Sequence, residues 1–296
     1  MSGDSVCAVV VAYFPDARVG ELLEKILPQV DELVVVDNTP GGGRLGAFGI
    51  LAEGEGRIHI VENLANLGVA AALNIGLEQA ARLGCRWLLT LDQDTCCYPQ
   101  LVETLLRTGE SCGPRPAVIG GNYFDPQTQR TKVSVNGAAE CLEQKTVITS
   151  GCLVDVDLAM AAGGFREDYF IDQVDHEFCL RMRALGHRVV ISREPVMAHS
   201  VGAEGGARLP FLGALPNHPP LRKYYIARNT VVTVVKYWRR EPDWCLRRMV
   251  RLLLGLLLMA TLEKQRLAKI HAFAAGFMDG VRYRMGPCLR KWPCPK

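Results

Sequence analysis

Two carboxylates one residue apart, Asp92 and Asp94, close the apolar run Leu88-Leu-Thr-Leu-Asp92-Gln-Asp94-Thr95. In an extended strand, side chains at i and i+2 share a face, so both can aim at one point, and that point could hold a divalent metal. A strand followed by a polar turn is the plainer account of the same residues. A second acidic cluster lies in Tyr169-Phe-Ile-Asp172-Gln-Val-Asp175-His-Glu177-Phe-Cys-Leu-Arg181. With a helix beginning near Asp172, Asp172 and Asp175 at i and i+3, and Glu177 and Arg181 at i and i+4, fall on neighbouring faces. Acids in a first helical turn also suit the helix dipole, and Glu177 with Arg181 reads equally as a structural ion pair. Three acids behind an apolar-aromatic segment nonetheless suit a general base in a partly dry pocket. Asp175 is the base on this reading and Asp172 the alternative.

The elements that must carry these acids form an α/β alternation. Val6 to Tyr13 and Glu32 to Asp37 are continuous apolar, β-branched runs of the kind buried on both faces of a parallel sheet. Ala17 to Leu27 has helical periodicity between them, and Arg57 to Val61, Gly68 to Leu83 and Arg86 to Leu91 predict strand, helix and strand. Open sheets of this kind gather ligands at the carboxyl ends of their strands, where Tyr13, Asp37 and Asp92 fall. Asp37 can accept a hydrogen bond from a nucleotide base N–H, or simply make an Asx turn into Pro40. In Asn63-Leu-Ala-Asn66-Leu-Gly68-Val-Ala-Ala-Ala-Leu-Asn74-Ile-Gly76, Asn66 is an N-cap candidate and Gly68 lets the backbone approach closely. The positive end of that helix would favour a ligand's phosphates; a capped helix with an alanine-rich packing face explains the same residues.

Farther along, Tyr98 to Arg107 predicts a helix, Ala117 to Gly120 a strand, and Asp125 to Glu143 a hairpin or lid. A glycine turn at Thr149 to Val154 leads into a strand, a short helix covers Asp157 to Ala162, and Val189 to Ser192 is the last strand, ahead of His199. Gly202 to Leu215 has the composition of a mobile loop. The helix from Leu221 to Trp238 presents Arg222, Lys223 and Arg228 for phosphate and Tyr224 and Tyr225 for stacking, or a basic face toward water. A final helix, from about Trp244 to Lys269, could lie at a membrane interface, pack on the sheet or form a dimer contact. Gly41-Gly-Gly43-Arg-Leu-Gly46 formally matches a dinucleotide fingerprint, but no strand ends directly before it and glycines interrupt any helix after it.

Composition sets the bounds. The 296 residues are 49% hydrophobic and 22% charged, a globular profile with a full core. The net charge of +3 conceals an asymmetry. Residues 239–296 hold 13 Lys/Arg against 4 Asp/Glu, and residues 1–238 hold 21 against 27. The eleven cysteines show no Cys-x-x-Cys pair, and Cys7, Cys85, Cys152 and Cys179 sit in apolar or helical segments, a usage that suits a reducing compartment. The longest uncharged apolar run, Leu252 to Leu262, is 11 residues, against roughly 20 for a spanning helix. The expectation is a cytoplasmic protein, with peripheral contact at the inner face of the cytoplasmic membrane open to it, and no nucleic-acid partner.

Taken in order, Val-Val-Val-Ala-Tyr13, Val-Val-Asp37-Asn, the Asn66 to Gly76 segment, Leu-Asp92-Gln-Asp94, Ser150-Gly151-Cys152, Phe170-Ile-Asp172-Gln-Val-Asp175-His-Glu177, His199 and Tyr224-Tyr-Ile-Ala-Arg228-Asn229 resemble the family 2 glycosyltransferases of the GT-A fold. Within them the resemblance is to bacterial rhamnosyltransferases, the dirhamnolipid-forming type included. It covers about Val6 to Trp238. The fold it implies is α/β, a mostly parallel central sheet with helices on both faces, as a domain over 1–238 followed by a basic helical extension over 239–296. It further implies that Tyr13, Asp37, Asn66, Gly68, Asn74, Asp92 and Arg228 surround the nucleotide sugar, that Asp94, Asp92 and His199 bind a divalent metal (Mg or Mn), that Asp175 is the catalytic base, and that Gly151 lies beside the acceptor. The implied reaction is inverting transfer of L-rhamnose from dTDP-L-rhamnose to a glycolipid or cell-surface glycan such as lipopolysaccharide. A UDP or GDP sugar donor, a nucleotidyltransferase and a catalytically silent sugar-binding partner are the alternatives.

Overall fold

β1 (Val6–Ala12) is the axis of a sheet whose order and direction are set by buried apolar runs. The computed structural model describes residues 4–42, 45, 56–137, 139–199, 208–209, 213–214 and 217–292. The expected loops at 41–46 and 202–215 therefore fall largely outside the described residues. After β1 come α1 (Ala17–Ile26), β2 (Glu32–Asp37), β3 (Ile58–Glu62), α2 (Val69–Arg82) and β4 (Trp87–Asp92). These are followed by β5 (Cys96–Cys97), α3 (Leu101–Ser111), β6 (Val118–Asp125), β7 (Arg130–Thr131), β8 (Cys141–Glu143), β9 (Cys152–Asp155) and α4 (Val156–Ala161). α5 (Val174–Ala184), β10 (Val189–Ala198), α6 (Pro220–Tyr237), α7 (Pro242–Leu262) and α8 (Arg266–Val281) complete the chain, with a two-residue ladder joining 208–209 to 213–214.

The strand order is β3-β2-β1-β4-β9-β6-β10-β5. β3, β2, β1 and β4 are parallel neighbours, and β6 and β10 run the same way. β9 is inserted antiparallel between β4 and β6. A four-residue strand with both faces buried carries no alternation from which its direction could be read. The expected hairpin over 125–143 resolves into β7 on β6 and β8 on β10, and the helix expected from Tyr98 starts at Leu101.

The chain divides into two compact units, residues 1–166 with 178–199, and residues 167–177 with 200–296. The first holds the sheet. Val10, Ala12, Val35 and Leu89 pack with Leu22, Leu23 and Ile26 of α1 and Leu101 and Leu105 of α3. Alternation sends Val9 to the opposite face, where α2 lies so close that a Cβ on Gly76 would come within 2.3 Å of the Val9 side chain. Helices thus cover both faces, as expected for a largely parallel sheet. Cys112 and Cys141 are joined as a disulfide in this unit; the four cysteines expected as buried thiols are free and buried.

The second unit is helical. α6 packs against α8 because Gly276 and Gly280 admit its backbone: a Cβ at Gly276 would lie 2.2 Å from the Tyr224 carbonyl oxygen. α6 therefore belongs with α7 and α8, and the boundary expected after Trp238 falls inside this unit. The single final helix expected from Trp244 is two. Glu263 is extended, Gln265 is left-handed (φ 56°), and the Glu263 carboxylate is held by Lys223 and Lys269, both at 2.6 Å. No glycine or proline marks this break.

Candidate functional site

In the sheet unit the predicted residues gather at the carboxyl ends of neighbouring strands. Parallel register puts Ala12 beside Asp37 and Val11 beside Asp92, so Tyr13, Asp37 and the Asp92-Gln93-Asp94 turn share one edge. Tyr13 is fixed there by Gln93: its N–H donates to Gln93 Oε1 at 2.7 Å, and Gln93 Nε2 donates back to the Tyr13 carbonyl at 3.2 Å. The tyrosine ring stays exposed beside Phe14. Gln93 carries no signal in the sequence beyond its position between two acids.

Asp37 is fully buried. Its Oδ1 accepts the Thr39 N–H at 2.8 Å, the Asx turn expected here, while its Oδ2 has no hydrogen-bond partner among the described residues. Leaving a buried acceptor unsatisfied costs about 1–3 kcal/mol, more for a charge, so this oxygen is built to receive a donor. Asn38 joins the strand end to the next helix: its Nδ2 donates to the Gly68 carbonyl (2.9 Å) and its Oδ1 accepts from Asn63 (2.7 Å). Gly68, at φ 89°, is itself the N-cap of α2. Asn66 is not the cap; its Oδ1 accepts the Gly68 N–H at 3.0 Å, one step earlier. The α2 N-terminus thus carries no side-chain cap. Asn74 grips Phe165 through both main-chain groups at 2.7 and 2.9 Å.

Asp92 is half-buried and Asp94 exposed. The turn is closed by Thr95 N–H to the Asp92 carbonyl at 3.1 Å, and the Thr95 hydroxyl meets that of Ser150. β5 pairs antiparallel with the end of β10, Ala198 opposite Cys96, which brings His199 to the same corner. The His199 N–H is bound to the Phe124 carbonyl and its ring lies edge-on to Tyr123. Among the described residues no three His, Cys, Asp or Glu side chains converge as a metal cage, so the three-ligand set expected with His199 is not assembled. A pair of carboxylates does fit a hard cation of the Mg kind, which takes one or two carboxylates together with a substrate's phosphate oxygens. Gly151 heads β9 at φ 67°, against Met197, where a Cβ would lie 2.6 Å from the sulfur; only glycine suits both constraints.

In the helical unit, Asp172 lies ahead of α5, not within it. Phe170, Asp172 and Gln173 all have positive φ, between 62° and 66°, a clustering of strained backbone typical of functional segments. Asn229 braces it: its Nδ2 faces the carbonyls of Tyr169, Ile171 and Asp172 at 2.8–2.9 Å. The neighbouring Arg228 is buried, with its guanidinium given to the carbonyls of Asp168, Tyr169 and Gly286 and to Asn229. Arg228 is thereby corrected from a phosphate ligand to a clamp. Tyr224 and Tyr225 are likewise buried, bonded to Asp279 and to the Cys288 N–H, so neither offers a stacking surface.

Both Asp172 oxygens face Arg222 Nε, at 3.2 and 3.3 Å. Burial nevertheless pushes the Asp172 carboxyl above its ordinary value, against the pull of Arg222. Asp175 opens α5, one-fifth exposed, with one oxygen accepting the His176 N–H at 2.8 Å. Glu177 is fully buried and bonded to Lys236 and Tyr237. Arg248, unremarked in the sequence, is drawn down by burial, while the charge of Asp175 works to hold it up. Of the three acids, Asp175 alone combines exposure with a carboxylate not committed to a cation by direct contact.

The sheet order and the acid-bearing strand ends define a GT-A nucleotide-sugar fold, and the similarities agree. Two structures of Staphylococcus aureus TarS 1-349, one of them in complex with UDP-GlcNAc, superpose with TM-scores of 0.63 at 14% and 15% identity, covering 95% and 94% of this chain and 82% and 81% of theirs. Residues 7–168 match Glycosyl transferase family 2, and the chain belongs to that family. It is 25% identical to the dTDP-rhamnosyl transferase RfbF of Shigella flexneri over 94% of this chain and 96% of that one. It is also 25% identical to the amylovoran biosynthesis glycosyltransferase AmsE of Erwinia amylovora over 62% of this chain and 70% of that protein. The chain is a glycosyltransferase.

Proposed function

We propose that this glycosyltransferase moves L-rhamnose from dTDP-L-rhamnose to a hydroxyl of a glycolipid or glycan, with inversion. The observation that carries the reading is the buried, unpartnered Asp37 Oδ2 at the end of β2, an acceptor suited to a base N–H; the similarity to a dTDP-rhamnosyl transferase along nearly the whole chain supports the choice of donor. Tyr13 flanks the base, Gly68 lets the diphosphate approach, and the uncapped first turn of α2 offers it N–H groups. Asp94 and Asp92 would hold Mg or Mn. That cation, when bound, neutralises the charge developing on the leaving diphosphate.

Asp175 takes the proton of the acceptor hydroxyl as its oxygen attacks the anomeric carbon. Attack from the face opposite the leaving group forms the new C–O bond as the sugar–phosphate bond breaks, which inverts the centre. Asp172, its carboxylate already against Arg222, positions the segment. The test is a thermal-shift titration with dTDP-L-rhamnose, UDP-GlcNAc and GDP-mannose, each with and without Mg or Mn, since a ligand specific to the folded state raises the melting temperature. A metal-dependent rise with the dTDP sugar alone is expected. A rise with a UDP or GDP sugar instead would keep the reaction class and overturn the donor.

A further inference from the structure

We propose that α7 and α8 of the helical unit form a seat for an anionic lipid surface, on which the protein lies without crossing. α7 is apolar on two opposite sides. Cys245, Leu252 and Met259 are buried, and Leu252 and Met259 pack with Ala227 and Phe273. On the other side Leu246, Val250, Leu253 and Leu257, spaced four, three and four, make a continuous exposed stripe, with Leu253 and Leu257 each 59% exposed. A helix that shows leucine on a second face has more apolar surface than its own unit covers. α8 continues the pattern through Leu267, 79% exposed, and Met278. No described helix is long and apolar enough to span a bilayer, so a stripe of this kind meets only the interface.

Charge selects the occupant. The four acids of 239–296 are all turned inward or neutralised: Glu241 is buried, Asp243 pairs with Arg247, Glu263 with Lys223 and Lys269, and Asp279 with Arg290. Arg251 on α7, and Lys264 and Arg266 just past its end, are exposed and make no ion pair among the described residues. A second copy docked through the same face would bring two cation-bearing faces together, because a twofold contact uses the same patch on both subunits. An anionic lipid surface meets the leucines and the cations together.

The test is sedimentation of the full chain with vesicles of phosphatidylcholine alone and of an equal mixture of phosphatidylcholine and phosphatidylglycerol. Binding only to the mixture, weakening as salt is raised, is expected. Leu253→Gln with Leu257→Gln should lower partitioning by about tenfold or more, and Arg251→Gln, Lys264→Gln and Arg266→Gln together on the order of a hundredfold. Both variants should melt with the parent, since the altered side chains contact solvent. Absence of binding to the mixture at low salt, or equal binding by both variants, would overturn the proposal. So would light scattering that shows a dimer split by the leucine substitutions, which would give the stripe to a second copy.

Discussion

Asp172 and Asp175 lie three positions apart yet differ in surroundings, and the difference decides what each can do. Asp175→Asn should cut transfer by roughly two to four orders of magnitude, the usual range for a general base, while donor affinity measured by calorimetry stays within a few fold. Unchanged turnover would move the base to Asp172. Because burial raises the Asp172 carboxyl above 3.8, the folded chain holds that proton more tightly than the unfolded one. Its contribution therefore favours folding at low pH and is lost as pH climbs through the raised value. The melting temperature of Asp172→Asn, relative to the parent, should accordingly rise between acidic and neutral pH; a pH-independent offset would refute the burial account. At this scale the types and order of the acids were legible in the sequence, since carboxylates after apolar runs stand out. Their partners were not, because Arg222 lies 50 residues from Asp172 and nothing local announces the contact.

The segment carrying both acids is shaped by another element. Asn229, in α6, supplies one amide to three carbonyls of residues 169–172. Asn229→Ala should cost about 2–4 kcal/mol, the range for breaking a buried hydrogen-bond network, and should impair transfer more than donor binding. A chemical melt and a paired activity assay would show whether the two losses travel together. Tyr224-Tyr-Ile-Ala-Arg228-Asn229 stood out in the sequence as something that could touch a ligand, whereas its work is to brace the other motif. Polar residues in a helix read alike whether they face a phosphate or a backbone carbonyl. The parallel strands were legible because each is an apolar run between turns. The direction of β9 and the break between α7 and α8 were not, as pairing and ion pairs with distant residues decide them.

Over the whole chain, the charge asymmetry read from composition reappears as a sheet unit and a cation-rich helical unit, but the expected boundary does not, because α6 packs with the helices that follow it. The Cys112–Cys141 link was beyond reach: eleven cysteines offer many pairings, and only the fold brings these two together. Closing a separation of 29 residues restricts the unfolded chain and is worth about 3–4 kcal/mol in the chain-entropy account. Reductant, or Cys112→Ser, should therefore lower the unfolding midpoint of the sheet unit. Identical denaturant melts with and without reductant would show that the link contributes nothing.

The unpartnered oxygen of Asp37 has a bearing on redesign. A carboxylate accepts hydrogen bonds and, when ionised, donates none. Thymine and uracil both present an N–H at ring position 3, where cytosine presents a lone pair. Under the proposed reading, that oxygen turns cytidine nucleotides away and treats dTDP and UDP alike. Any preference between those two must come from groups that sense the thymine methyl or the missing ribose hydroxyl, so an effort to switch the donor should leave Asp37 intact and randomise its neighbours.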